Sequence, residues 1–112
     1  LVKEDAEIND VIIEISKNRL GATAVCNVDN NLVGIITDGD LRRCFEKNTD
    51  FKNLLSKDIM TKKPSSITSI SLVYDAFQIM KENNITQLIV SDNGNYIGII
   101  HLHDIIKEGI VE

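Results

Sequence analysis

The chain has 112 residues, the size of one compact domain, and carries 17 acidic against 12 basic residues for a net charge of −5. That balance argues against bulk attraction to nucleic acid or anionic membrane, so neither is expected as a partner. No apolar run approaches the roughly 20 residues that span a bilayer and no signal-peptide pattern is present, while the two cysteines, Cys26 and Cys44, read as reduced thiols of a cytoplasmic protein.

Hydrophobic residues make up 43% of the chain, aromatics only 4%, and eighteen residues are isoleucine. An aliphatic, β-branched core of mixed α/β layers follows. In chain order, a helix is predicted over about 6–19, with Ile8, Ile12, Ile15 and Arg19 on one face. Two strands come next, joined by the polar turn Asp29–Asn31. The second strand ends at Gly34-Ile35-Ile36, and a helix begins near Asp40. Residues 48–58 read as a linker with a short helical segment from Phe51 to Leu55. The sole proline, Pro64, bars helix and favours extended chain before it. A short strand near Ser66-Ile67 precedes a helix over about 70–83, with Val73, Phe77 and Met80 on one face and Ser69 or Ser71 as its cap. Asp92-Asn93-Gly94-Asn95 is a strong hairpin signal, because Asn and Gly accept positive φ. A last helix is expected from about 104.

Two stretches of this order are one stretch used twice. Residues 5–43 align without a gap with 69–107, 64 positions on. Identities fall at Ile15/Ile79, Lys17/Lys81, Asn31/Asn95, Gly34/Gly98, Ile35/Ile99, Ile36/Ile100 and Asp40/Asp104. Such a repeat sets the fold before any other signal. Each copy is α-β-β-α and is near the lower limit of independent stability, so the copies are expected to bury apolar faces against each other. The implied boundaries are 1–47 for the first copy, 48–58 for the linker and 59–112 for the second. The chain begins too late to hold a first-copy match for Ile59–Thr61 and the strand near Ser66, so that opening strand is expected to be truncated. Leu1 in first place suggests a fragment of a longer protein.

The polar residues worth weighing lie where each second strand meets its following helix. Thr37 and Asp40 could hold a sugar diol, with helix-start N–H groups meeting a phosphate. Thr-x-x-Asp is equally a capping box that merely starts the helix. In the second copy His101 replaces Thr37 and is expected to be a poor cap, while Asp104 persists, which tilts the balance toward a ligand. Arg42 and Arg43 in the first helical turn oppose the helix dipole, so they suit a phosphate or carboxylate better than local stability, or are simply a solvated face. His101-x-His103-Asp104 could ligate a metal, but it coincides with the junction, and no metal is expected. No nucleophilic constellation is present, so no catalytic residue is assigned.

Ile59-Met60-Thr61, Pro64, and α-β-β-α ending in Gly34-Ile35-Ile36-Thr37-x-x-Asp40 resemble a tandem pair of cystathionine-β-synthase (CBS) domains. Leu20–Ala24, Thr37–Arg43 and Leu102–Gly109 further resemble the C-terminal regulatory part of bacterial D-arabinose 5-phosphate isomerases, which join a sugar-isomerase (SIS) domain to a CBS pair. The resemblance implies an α/β (α+β) fold of two repeats, each a small sheet with two helices, packed as a pseudo-two-fold pair. It implies a regulatory module without enzymatic activity of its own, binding a nucleotide or nucleotide-sugar between the repeats, with the activated Kdo sugar CMP-Kdo as one candidate. The partners it implies are an upstream SIS domain and a second copy docked through the CBS helices. A purely structural dimerisation module is the alternative. No cofactor is required. Carried onto this chain, the ligand-binding positions are Ala22, Thr23, Thr37, Asp38, Asp40, Arg42, Arg43, Thr61, Thr68, Gln87, His101, His103 and Asp104, with Thr23 and Gln87 near the base and the Thr and Asp at the ribose. His101 departs from the pattern, so the two sites are expected to be unequal.

Overall fold

The computed structural model describes residues 1–18, 20–47, 50–70 and 73–103. The chain divides into two compact units, Leu1–Pro64 and Ser65–Glu112.

The first unit contains β1 (Val2–Lys3), α1 (Ile8–Asn18), β2 (Ala22–Cys26), β3 (Leu32–Thr37), α2 (Asp38–Lys47), a 3-10 turn (Phe51–Asn53), α3 (Ser56–Ile59) and β4 (Thr61–Lys62). Its sheet runs β1-β2-β3-β4, with β1 parallel to β2 and the other pairs antiparallel. β2 is buried along its whole length, as an apolar strand covered on both faces must be. Helix α1 turns Ile8, Val11 and Ile15 inward, an i, i+3, i+7 stripe. Val11 thus takes the innermost place expected of Ile12, which is half-buried, and Arg19 lies outside the described residues. Val11, Ile15, Val25, Ile36 and Leu41 form the core, and Val33, Ile59 and Met60 pack against it. The β2–β3 turn is built by Asn27, whose side-chain oxygen accepts the N–H groups of Asp29 and Asn31, with Asn30 at φ 63.

The second unit contains β5 (Ser66–Ile67), α4 (Val73–Asn83), β6 (Gln87–Asp92) and β7 (Asn95–His101). Its sheet runs β5-β6-β7, with β5 parallel to β6 and β7 antiparallel to it. The hairpin turns at Asn93 (φ 53) and Gly94 (φ 82), as the Asn-Gly pair demands. Helix α4 ends at Asn84 (φ 54), with the Ile85 N–H returning to the Met80 carbonyl at 3.0 Å, a left-handed C-terminal cap. Ile67, Ala76, Met80 and Leu88 make this unit's core. Phe77 is half-buried, and the side chain of Val73 lies outside the described residues.

Three local expectations change. Val2–Lys3 is a strand, parallel to β2 as Ser66–Ile67 is to β6 and 64 positions earlier. The repeat therefore begins before residue 5, and the first copy's opening strand is in the chain. Two residues suffice for it because β2 holds them by pairing. Helix α2 starts at Asp38, not near Asp40, because Thr37 is its cap. Lys63, next to Pro64, sits at φ 50 instead of extended, as the chain leaves β4; only Thr61–Lys62, paired with β3, are extended. The Ser69 hydroxyl and N–H both donate to the Asp92 carboxylate, at 2.5 and 3.0 Å, and the residues between Ile70 and Val73, where a cap of α4 would act, lie outside the described residues. Ser71 lies outside the described residues.

Candidate functional site

The junction of β3 and α2 gathers most of the chemistry. A helix leaves its first four N–H groups without carbonyls to reach, and here three of them have partners. The Asp40 carboxylate accepts the Thr37 N–H at 2.9 Å. The Asp38 N–H donates to the Gly21 carbonyl at 2.8 Å. The Asp40 N–H donates to the Thr37 hydroxyl at 3.2 Å. That is a reciprocal capping box, closed further by the Thr37 hydroxyl donating to Asp40 at 3.1 Å. The remaining first-turn donor is the Gly39 N–H.

Arg43 completes the junction. Its guanidinium pairs with the other Asp40 oxygen at 2.5 Å, with the Arg43 side chain 56% exposed and that of Asp40 only 10%. The pairing offsets the cost of a cation at a helix start. It also gives Arg43 a local role that the sequence reading reserved for a ligand. The guanidinium folds back over the first turn: a Cβ on Gly39 would lie 3.2 Å from Arg43 Nη1 and 3.5 Å from the Thr37 hydroxyl. Gly39 therefore leaves room for both groups. Arg42 is exposed and makes no ion pair among the described residues. Chemically, the junction offers an anion one backbone N–H and the outer face of a held guanidinium. A diol would have to compete for Asp40 with Thr37 and Arg43.

The other expected positions separate. Ala22 is buried opposite Thr37. Thr23 is fully buried opposite Ile36, its hydroxyl donating to the Ala24 carbonyl at 3.3 Å. Asp38 has an exposed side chain. Thr61 is exposed on β4 opposite Ile35, and Thr68 is exposed just after β5. In the second unit Gln87 faces His101 across β6 and β7. Asp104 lies outside the described residues. Gly39 and the Gly21 carbonyl were not anticipated. Gly39 was signalled only by a glycine inside the Thr-x-x-Asp box.

His101 proves to be a working cap. Its Nδ1 accepts the His103 N–H at 3.0 Å, the side-chain-to-N2 bond of a helix N-cap, and Leu102 and His103 are helical. The expectation of a poor cap overlooked that an imidazole presents a lone pair at a reach similar to a hydroxyl. The persistence of Asp104 beside it therefore no longer favours a ligand over a cap. The two imidazoles lie 5.7 Å apart, centre to centre. Among the described residues no group of three His, Cys, Asp or Glu is placed to hold a metal, and no helix is long and apolar enough to cross a membrane. Cys26 and Cys44 are buried and form no disulfide. Two small cavities of the first unit, of 280 Å³ beside Lys3, Glu4 and Lys57 and of 200 Å³ beside Glu7, Asn9 and Phe51, contain none of the expected site residues.

Comparison with known proteins agrees with this architecture. The family model described as CBS domain matches residues 1–47 and 56–110. The arabinose 5-phosphate isomerase KdsD of Yersinia pestis is 36% identical over 110 residues, and that of Escherichia coli K12 is 34% identical. Each alignment covers 98% of this chain, but the chain spans only 34% of either relative's length. A CBS domain protein from Pyrobaculum aerophilum complexed with AMP superposes with a TM-score of 0.83 at 25% identity, covering 93% of this chain and 82% of that one. The CBSX2 structure in complex with AMP gives 0.82 at 22% identity, covering 98% and 86%.

Proposed function

The chain belongs to the CBS domain family, in two copies, and from that premise we propose that it is the ligand-sensing regulatory module of an arabinose 5-phosphate isomerase. The observation that carries the proposal is the β3–α2 junction. There Asp40 holds Arg43 at a helix start beside the Gly39 N–H, the one first-turn donor without a partner among the described residues, a combination suited to a phosphate. The similarity to KdsD supports the choice of parent enzyme, and the AMP complexes of two CBS proteins support a nucleotide as ligand. In this reading the ligand is a nucleotide or nucleotide-sugar, with CMP-Kdo favoured because an end product of the Kdo branch can feed back on its first isomerisation. Binding biases the attached SIS domain through differential affinity for two arrangements. The chain itself supplies no catalytic residue and needs no cofactor, and it works in the cytoplasm.

Calorimetry with AMP, ATP and CMP-Kdo tests this. Heat with CMP-Kdo, lost in Asp40→Ala, is the expected result. Binding of AMP or ATP with no response to CMP-Kdo removes the choice of ligand, and silence with all three removes sensing. The second reading, a structural module that dimerises through its helices, is favoured by one observation: the capping box and the Asp40–Arg43 pair are complete without a ligand. That reading predicts unchanged dimerisation in Asp40→Ala and no nucleotide binding in either protein.

A further inference from the structure

Both oxygens of the Asp40 carboxylate are engaged by their own helix start. One accepts the Thr37 N–H at 2.9 Å and the Thr37 hydroxyl at 3.1 Å, and the other accepts Arg43 Nη2 at 2.5 Å. The two sides differ in what releasing them would cost. The Thr37 bonds belong to the capping box, so breaking them uncaps α2. Arg43 stands outside that box. Its side chain is 56% exposed against 10% for Asp40, so it can leave the carboxylate without opening the core. Gly39 leaves it room to turn, since a Cβ there would lie 3.2 Å from Arg43 Nη1 and 3.6 Å from Nη2.

A neutral diol that took the Arg43 side of Asp40 would exchange a charge-assisted bond for ordinary ones. It would also leave a guanidinium without a counter-charge at the positive end of α2. A phosphate on the same ligand removes both penalties. It offers the displaced guanidinium a new anion of matching two-pronged geometry, and one charged pair replaces another.

We propose that Arg43 is the specificity-determining residue of the β3–α2 junction. It closes Asp40 to a ligand that brings only hydroxyls, and yields Asp40 to one that also brings a phosphate within reach of its guanidinium. This rests on the reading that the junction binds a nucleotide, and it adds which ligands are refused. Nucleosides and free sugars are refused, and nucleotides and nucleotide-sugars are accepted.

Calorimetry on the native protein and on Arg43→Ala, with CMP-Kdo and CMP against cytidine and AMP against adenosine, tests the proposal. In Arg43→Ala, which keeps the capping box, the nucleotide is expected to bind about tenfold more weakly and its nucleoside about tenfold more tightly, because the diol no longer displaces a cation. Opposite signs are the signature. A merely structural role weakens both, and a simple phosphate contact leaves the nucleoside unmoved. Either result overturns the proposal while nucleotide sensing stands. A second measurement needs no variant. Inorganic phosphate is expected to tighten nucleoside binding to the native protein by taking up the guanidinium, a coupling that is absent in Arg43→Ala. Phosphate that leaves nucleoside affinity unchanged, or weakens it, overturns the proposal. If the native protein and the variant bind none of the five ligands, the sensing reading falls as well, so the two failures are told apart.

Discussion

In the first unit the strand bearing Gly34 is an inner strand, its helix start is capped by a hydroxyl and a carboxylate, and an arginine lies across that start. In the second unit the strand bearing Gly98 is an edge among the described residues, and the cap is an imidazole nitrogen. The two were drawn from one pattern. The difference teaches that an identical residue at an equivalent position takes its energetic role from what covers it. Gly34 is needed for close approach, and Gly98 in this chain is not.

Substitutions at paired positions can break or sharpen that contrast. The largest expected effect is Ile36→Ala, which empties a fully buried site and should cost about 2–5 kcal/mol. Ile100→Ala at the half-buried counterpart should cost only about 1–2 kcal/mol. Denaturant unfolding measures both, and equal losses would erase the distinction between inner strand and edge. Next come the glycines. Gly34→Ala should cost about 1–3 kcal/mol, because its Cβ meets the Thr61 carbonyl as well as the flexible Met60. Gly98→Ala should be neutral within about 0.5 kcal/mol. The caps follow. Thr37→Ala should cost about 1 kcal/mol and His101→Ala somewhat less, while His101→Thr should restore or improve the second cap. A full loss for Thr37→Ala with none for His101→Ala would mean that the imidazole bond contributes nothing.

The smallest effect is an acid dependence. The Ser69 hydroxyl first, and its N–H second, hold the Asp92 carboxyl below its ordinary value of 3.8. A carboxyl depressed in the folded state adds stability that is fully present above the ordinary value and is lost as pH falls through the folded value. Acid unfolding followed by circular dichroism should therefore be less steep below about pH 4 in Ser69→Ala. The group is exposed, so the change should be slight.

Most of the fold was legible in the residues because periodicity and turn chemistry are local. Ile8 and Ile15 marked the inner face of α1, and Asn93-Gly94 marked its hairpin. The seven identities at a 64-residue offset made the two halves readable against each other. The site was legible in position but not in wiring. Thr37 and Asp40 were correctly placed at a helix start, yet whether the carboxylate turns inward to Thr37 and Arg43 depends on rotamers that spacing does not specify. Thr23 looked like a strand polar residue, and its full burial opposite Ile36 depends on what packs over β2, which spacing does not specify. The His101 cap was missed because residue preference at caps is a statistical tendency, whereas one aligned lone pair meets the need.

By itself the sequence determined the repeat, the α-β-β-α order, the aliphatic core and the location of the polar junctions, since each follows from patterns a few residues long. Tertiary structure alone decided that β4 covers β3 and Gly34, that Arg43 answers to Asp40, and that Val2–Lys3 forms a strand. Those outcomes depend on which distant segment arrives alongside, and two residues or one glycine carry too little local preference to announce it.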